Sequence, residues 1–217
     1  MEILMETKDL LIAVKPVGML SEQTEQGDGF ADLLAAENGG YIGVIHRLDR
    51  GVGGVMLYAK TPSAAAWLSQ AVQEHRLNKE YVAIVEGIPT DTEGELWDLL
   101  YYDRSKNKVF PVKRERRGVK EARLSYRVLQ TVSHPETGRP ITLVSVTPHT
   151  GRTHQIRVQF ASRGLPLLGD RRYGGSGSTE IALWCRSITV PAKGNESEQT
   201  VCHDPTGAPW DWFLPVD

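Results

Sequence analysis

Tyr41-Ile42-Gly43-Val44-Ile45-His46-Arg47-Leu48-Asp49-Arg50-Gly51-Val52-Gly53-Gly54-Val55-Met56-Leu57-Tyr58-Ala59-Lys60-Thr61 sets the terms for the rest of the chain. Two short apolar runs, Tyr41 to Ile45 and Val55 to Ala59, flank a polar segment with three glycines. Runs this short, rich in Val, Ile and Tyr with glycine in or beside them, predict buried strands rather than helices. Gly51, Gly53 and Gly54 permit positive φ and close backbone approach, so a compact loop is expected to join the strands. That loop presents His46, Arg47, Asp49 and Arg50 from a rigid scaffold, the usual place for chemistry. A carboxylate between two arginines stays ionised, because nearby positive charge favours the charged form. It suits a nucleophile or an electrostatic anchor better than a general acid near neutral pH. A salt-bridged turn accounts for the same residues equally well.

Length and composition narrow the field. A chain of 217 residues, 40% hydrophobic and 24% charged, can bury a substantial core as one large domain or two small ones. Nothing in composition divides it, and it is read as a single domain over 1–217. No apolar run reaches the length of a membrane span, and the acidic start (Glu2, Glu6, Asp9) is unlike a signal peptide. Cys185 and Cys202, with no Cys-x-x-Cys pair, fit a reducing compartment without zinc, so a cytoplasmic location is expected. Charge is unevenly spread. Arg104 to Arg172 holds 16 of the 25 Lys and Arg against four acids, a net +12 beside −14 elsewhere. Such an imbalance, dominated by arginine, points to a polyanion-binding face.

The remaining elements follow from patterning. Ile3 to Val14 reads as a strand pair, and Lys15-Pro16-Val17-Gly18 as the turn that ends it. Gly29 to Glu37 is expected to be a short helix capped at Asn38-Gly39-Gly40. Ser63 to Leu77 has helical spacing, with Pro62 at its start. Val82 to Val85, Leu96 onward, Ala122 to Val128 and Ile141 to Val146 read as strands, with Lys113 to Lys120 an exposed basic loop. His154 is expected to open a helix that continues through Arg163 to a cap at Gly164. A phosphate near that helix start would suit Arg152, His154 and Arg157 on charge alone. Ala182 to Cys185 and Ile188 to Val190 read as a last strand pair, and the Trp-rich tail as packing across the body. His149 and His154, with no acid or thiol at ligand spacing, do not predict a metal site.

Three ordered motifs resemble one family. His46-Arg47-Leu48-Asp49 with the glycine turn and Val55 to Lys60 is similar to the central motif of the RluA-type pseudouridine synthases. Lys79-Glu80-Tyr81 at the mouth of a strand is similar to its second motif. Thr150-Gly151-Arg152-Thr153-His154-Gln155-Ile156-Arg157-Val158, followed by Gly164 to Asp170 and Tyr173-Gly174, is similar to its third. The strand ending in Lys15-Pro16 resembles the family's N-terminal motif. Val52-Gly53-Gly54 departs from the family's usual Thr-Ser-Gly.

The resemblance implies an α+β fold, with a mostly antiparallel mixed central sheet flanked by helices and an active site in a central cleft. The small N-terminal RNA-binding domain that many relatives carry is not expected here, since the motifs start almost at once. The implied reaction is isomerisation of uridine to pseudouridine in structured RNA, rRNA or tRNA, by a monomer without cofactor or metal. Asp49 would be the nucleophile, at either the sugar or the ring. Tyr81 would stack on the base and take its carbon-bound proton, and Arg157 would pair with Asp49. Arg47, His46, Arg152, His154, Gln155 and Leu183 would contact the substrate.

Overall fold

Continuous apolar runs become buried strands, and alternating ones become half-buried strands. The computed structural model describes residues 1–177, 180–194 and 197–214. Contacts gather into two units, Met1–Lys79 with Trp184–Pro205, and Glu80–Leu183 with the chain from Thr206 on. The first unit carries β1 (Ile3–Glu6), β2 (Leu10–Lys15), α1 (Phe30–Asn38), β3 (Gly43–Val44), β4 (Gly53–Ala59) and α2 (Pro62–Gln73). The second is formed by β5 (Asn78–Glu86), β6 (Glu93–Asp103), β7 (Lys108–Val112), β8 (Val119–Ser133), β9 (Pro140–Pro148) and α3 (Gln155–Ala161). From there the chain returns to the first unit as β10 (Leu183–Val190) and β11 (Gln199–Cys202).

In the first unit the strand order is β1-β2-β4-β10, with β3 also on β4 and β11 on β10. All seven residues of β4 are buried, as a continuous apolar run demands. Its pairing with β2 is antiparallel and its pairing with β10 parallel, Trp184 lying opposite Gly53 and Cys185 opposite Gly54. A Cβ on Gly54, whose φ is +123°, would sit 2.3 Å from the Cys185 carbonyl oxygen, so only glycine admits β10 here. A Cβ on Gly53 would meet the Trp184 ring at 2.4 Å. The indole thus fills the space a side chain at position 53 would need. Phe30 of α1 packs edge-on against Tyr58, ring centroids 6.0 Å apart. Thr61 caps α2 by accepting the Ala64 amide at 3.1 Å, and Pro62 occupies its first turn.

The second unit is wholly antiparallel, in the order β5-β9-β8-β6-β7. Its core includes Leu100, Val109, Ala122 and Val158, with Tyr173 packed against them. α3 lies against β6 and β7. The tail packs on this unit: the Trp212 and His134 ring centroids are 4.9 Å apart, and the Leu214 amide donates to Gln130 Oε1 at 2.9 Å.

The α+β architecture, mixed and mostly antiparallel, is the one the motifs imply. Local expectations change in several places, and β8 runs from Val119 to Ser133, beyond the expected Ala122 to Val128 and into the end of the expected basic loop. The first apolar run shrinks to β3, because Tyr41 is exposed and only Gly43 and Val44 pair with β4. α2 stops at Gln73 rather than Leu77, where His75 turns left-handed at φ 56°. α3 ends at Ala161, short of Arg163. The expected last strand pair is one strand, β10, because Ser187 is buried within it and Arg186 faces out to Asp204 at 2.6 Å. Its partner β11 is polar and exposed, so it leaves no apolar signal in the sequence.

Candidate active site

The expected site residues are distributed over both units. His46, Arg47 and Asp49 belong to the first, and Tyr81, Arg152, His154, Gln155, Arg157 and Leu183 to the second.

In the first unit the segment from His46 to Arg50 is held residue by residue. His46 and Leu48 are buried, Arg47 and Arg50 exposed, and Asp49 half-buried. Ser21, fully buried, bonds both sides of Leu48: its Oγ accepts the Leu48 amide at 3.0 Å and donates to the Leu48 carbonyl at 2.9 Å. Tyr58 in turn donates to the Ser21 carbonyl at 3.1 Å, and burial pushes its hydroxyl pKa well above the usual tyrosine value. After Asp49, Gly18 N donates to Arg50 O at 2.8 Å and Arg50 Nε returns a bond to Gly18 O at 2.7 Å. The Val52 amide closes the turn on Asp49 O at 2.9 Å.

His46 Nε2 accepts the Leu57 amide at 3.1 Å, so the ring proton sits on Nδ1. Burial, and then the charge of Lys79, push its pKa well below the ordinary histidine value. A neutral, buried imidazole bonded to β4 is a pin for the loop. Arg47 reaches the other way, 68% exposed, to Glu22 at 3.2 Å. Lys15 is fully buried, and its Nζ donates to the carbonyls of Pro16 at 2.8 Å and Met19 at 2.7 Å. Burial lowers the pKa of Lys79 as well.

In the second unit four of the expected residues converge at the start of α3. Gln155 is buried, and its amide makes three bonds: Oε1 accepts from Thr150 Oγ1 at 2.8 Å and Arg152 N at 3.0 Å, and Nε2 donates to Arg123 O at 3.0 Å. Arg152 Nε donates to Glu121 O at 2.8 Å. His154 takes the left-handed region at φ 51°, with Nδ1 2.9 Å from the Tyr173 hydroxyl. Arg157 grips Asp170 side-on, Nε to Oδ2 at 2.7 Å and Nη2 to Oδ1 at 2.9 Å, with both side chains buried. Its guanidinium also lies 5.2 Å from the centre of the Tyr173 ring. A guanidinium held by two parallel bonds to one carboxylate has a fixed plane and cannot be replaced by lysine without loss.

Tyr81 lies 7% exposed in β5, opposite Val146 of β9, and Leu183 is buried where β10 begins. The neighbouring Glu80 accepts Ser145 Oγ at 2.8 Å. Among the described residues no group of three His, Cys, Asp or Glu could hold a metal, and no helix is long and apolar enough to cross a membrane.

Sequence reasoning passed over Ser21, Asp170 and Tyr173. Ser21 leaves no local signal, since its partner Leu48 lies 27 positions on. Asp170 and Tyr173 stand inside the Gly164 to Gly174 run, where the Gly-Asp and Tyr-Gly pairs flag them, but no role followed from the pattern.

Comparison with known proteins adds an independent line. The family model described as RNA pseudouridylate synthase matches residues 9–162. An uncharacterised RNA pseudouridine synthase of Aquifex aeolicus is 41% identical over 137 residues, covering 63% of this chain and 41% of that protein. The ribosomal large subunit pseudouridine synthase D of Borreliella burgdorferi is 36% identical over 132 residues, covering 61% and 38%. An uncharacterised RNA pseudouridine synthase of Bacillus subtilis is 34% identical over 185 residues, covering 81% and 58%. The chain therefore spans between 38% and 58% of the length of these relatives. The human RNA pseudouridylate synthase domain containing 1 structure superposes with a TM-score of 0.78 at 22% identity, covering 94% of this chain and 83% of that one. The domain containing 4 structure gives 0.75 at 22%, covering 94% and 88%. At that identity the likeness concerns the fold.

Proposed function

We propose a function from one premise: this chain belongs to the RNA pseudouridylate synthase family, and within it to the RluA type. It isomerises uridine in structured RNA to pseudouridine, and its substrate is rRNA or tRNA. The observation that carries this reading is Asp49 itself, an aspartate in the His-Arg-Leu-Asp motif, in a loop bonded on both sides to Ser21 and Gly18. A nucleophile gains from such fixed aim, because orientation replaces part of the entropy cost of reaction.

The target base leaves its stack before anything else, since the reacting atoms are otherwise shielded. Asp49 attacks either the ribose or the uracil ring, the bond from nitrogen to the sugar breaks, the base turns and rejoins the sugar through carbon, and the bond to Asp49 breaks to return its carboxylate. Tyr81 stacks on the base and takes the carbon-bound proton, and Arg157 supplies the positive charge. Arg47, His46, Arg152, His154, Gln155 and Leu183 orient the RNA or the residues that touch it. The basic stretch from Arg104 to Arg172 supplies phosphate contacts. Neither cofactor nor metal takes part, and the chain works as a cytoplasmic monomer.

One observation favours a second reading, a binding module of the same fold without turnover. Val52-Gly53-Gly54 lacks the family's hydroxyls, and the Trp184 ring fills the space beside Gly53. RNA tritiated at uracil C5 separates the readings. Tritium released to water supports the synthase, free uracil indicates a hydrolase, and neither product indicates the binding module.

A further inference from the structure

The second unit also bears a groove of about 710 Å³, whose lining includes Arg152 but none of Asp49, Tyr81 and Arg157. The end of β6, the run leading into β8 and the loop leading into α3 line it. Four cations stand around it, Arg104, Arg117, Lys120 and Arg152, against a single acid, Asp103. That acid is already engaged. Its Oδ1 accepts from Ser105 Oγ at 2.7 Å and Ser105 N at 3.0 Å, and these bonds, the hydroxyl first, hold its carboxyl below the usual range. Among the described residues Arg104, Arg117 and Lys120 form no salt bridge. Gathering uncompensated cations in a concavity repels without helping the fold, and it focuses potential on an anionic ligand.

A planar surface stands in the same wall. The Arg116 guanidinium lies over the Tyr101 ring, 4.6 Å from its centre, and Tyr101 lines the groove. Tyrosine rings and guanidinium groups are what unpaired bases stack on, and a duplex keeps its bases out of their reach. The volume lies within the range of ligand sites.

We propose that this groove binds an unpaired RNA segment, with phosphates on Arg104, Arg117, Lys120 and Arg152 and a base stacked at the Tyr101–Arg116 pair. The proposal rests on the RNA reading above and adds where, and in which form, the strand is held. Arg152 and Arg157 lie on one continuous segment, so a strand in the groove is tied to the element that carries Arg157.

The test uses fluorescence anisotropy with a fluorescein-labelled single-stranded oligouridylate and a labelled RNA duplex of equal length, over a range of potassium chloride concentrations. In the combined variant Arg104→Ala, Arg117→Ala, Lys120→Ala, the salt slope for the single strand should fall by about 2, at roughly 0.7 per lost phosphate contact. Tyr101→Leu keeps apolar bulk in place and should weaken single-strand binding about tenfold at every salt concentration, without changing the slope. Duplex binding should change little in either variant. An unchanged slope in the triple variant overturns the groove, and an equal loss for the duplex overturns the unpaired strand as its ligand. Tritium release on the same preparations separates this from the synthase reading. A parent chain that binds through the groove and releases no tritium overturns that reading alone. A parent that releases tritium while the triple variant keeps its slope overturns the groove alone.

Discussion

The loop that carries Asp49 and the helix start that carries Arg157 are fixed by different forces. Around Asp49 the buried bonds described are neutral or run to the backbone (Ser21 to both sides of Leu48, Leu57 N to a neutral His46), Arg50 Nε reaches Gly18 O, and the Arg47–Glu22 ion pair is exposed. Around Arg157 the main tie is a buried ion pair with Asp170. Neutral bonds hold a loop at modest cost and give it up in small steps. A buried pair is close to all-or-nothing, because losing one partner strands the other charge. One region can therefore be trimmed gradually, whereas the other fails at a single substitution.

The sharpest way to break this contrast is Arg157→Ala. With Asp170 left 1% exposed and unpaired, unfolding stability should fall by about 3–5 kcal/mol, measured from urea midpoints. Arg157→Lys should recover only part of that loss, since lysine cannot reproduce the two parallel bonds. A loss below about 1 kcal/mol would place this pair with ordinary surface bridges.

Next in size is Ser21→Ala, which leaves a buried Leu48 amide and carbonyl without their partner. About 1–3 kcal/mol should be lost, and single-turnover rate with it, because the segment before Asp49 is loosened. Full stability in Ser21→Ala would mean that the loop is held from elsewhere.

How far the sequence announces these two regions differs for the same physical reason. Apolar periodicity shows β2, β4, β8 and β9, because burying a face is a local compositional act. The motif residues also stand out, since Asp49, Tyr81 and Arg157 are short-range patterns. What holds them does not. Ser21 acts on Leu48, Gln155 on Arg123 and Tyr173 on Val109, each across 27 or more positions. The edge strand β11 is polar, and the bulge between Val128 and Gln130 lets β8 run past the end of its alternation. The burial of Lys15 is a tertiary fact that no turn signal contains.

A finer probe of the neutral side is pH. Folding keeps His46 uncharged, while the unfolded chain takes up a proton near the ordinary histidine value of about 6.5. The folded pKa is the lower one. The contribution is therefore complete above about pH 6.5 and is lost as pH falls below it, at up to about 1.4 kcal/mol per pH unit. His46→Gln, whose Oε1 can accept the Leu57 amide, should remove that share of the acid slope between pH 7.5 and 5.5. Equal slopes in parent and variant would show that His46 does not titrate with unfolding.

The central claim is that Asp49 carries the chemistry and the basic residues carry the binding. Single-turnover tritium release from C5-tritiated RNA, with affinity measured on the same samples, tests it in Asp49→Asn. Release by the parent is predicted, with none above background in the variant and RNA affinity within about twofold, because phosphate contacts supply most of the binding. Release by Asp49→Asn at the parent's rate would contradict it.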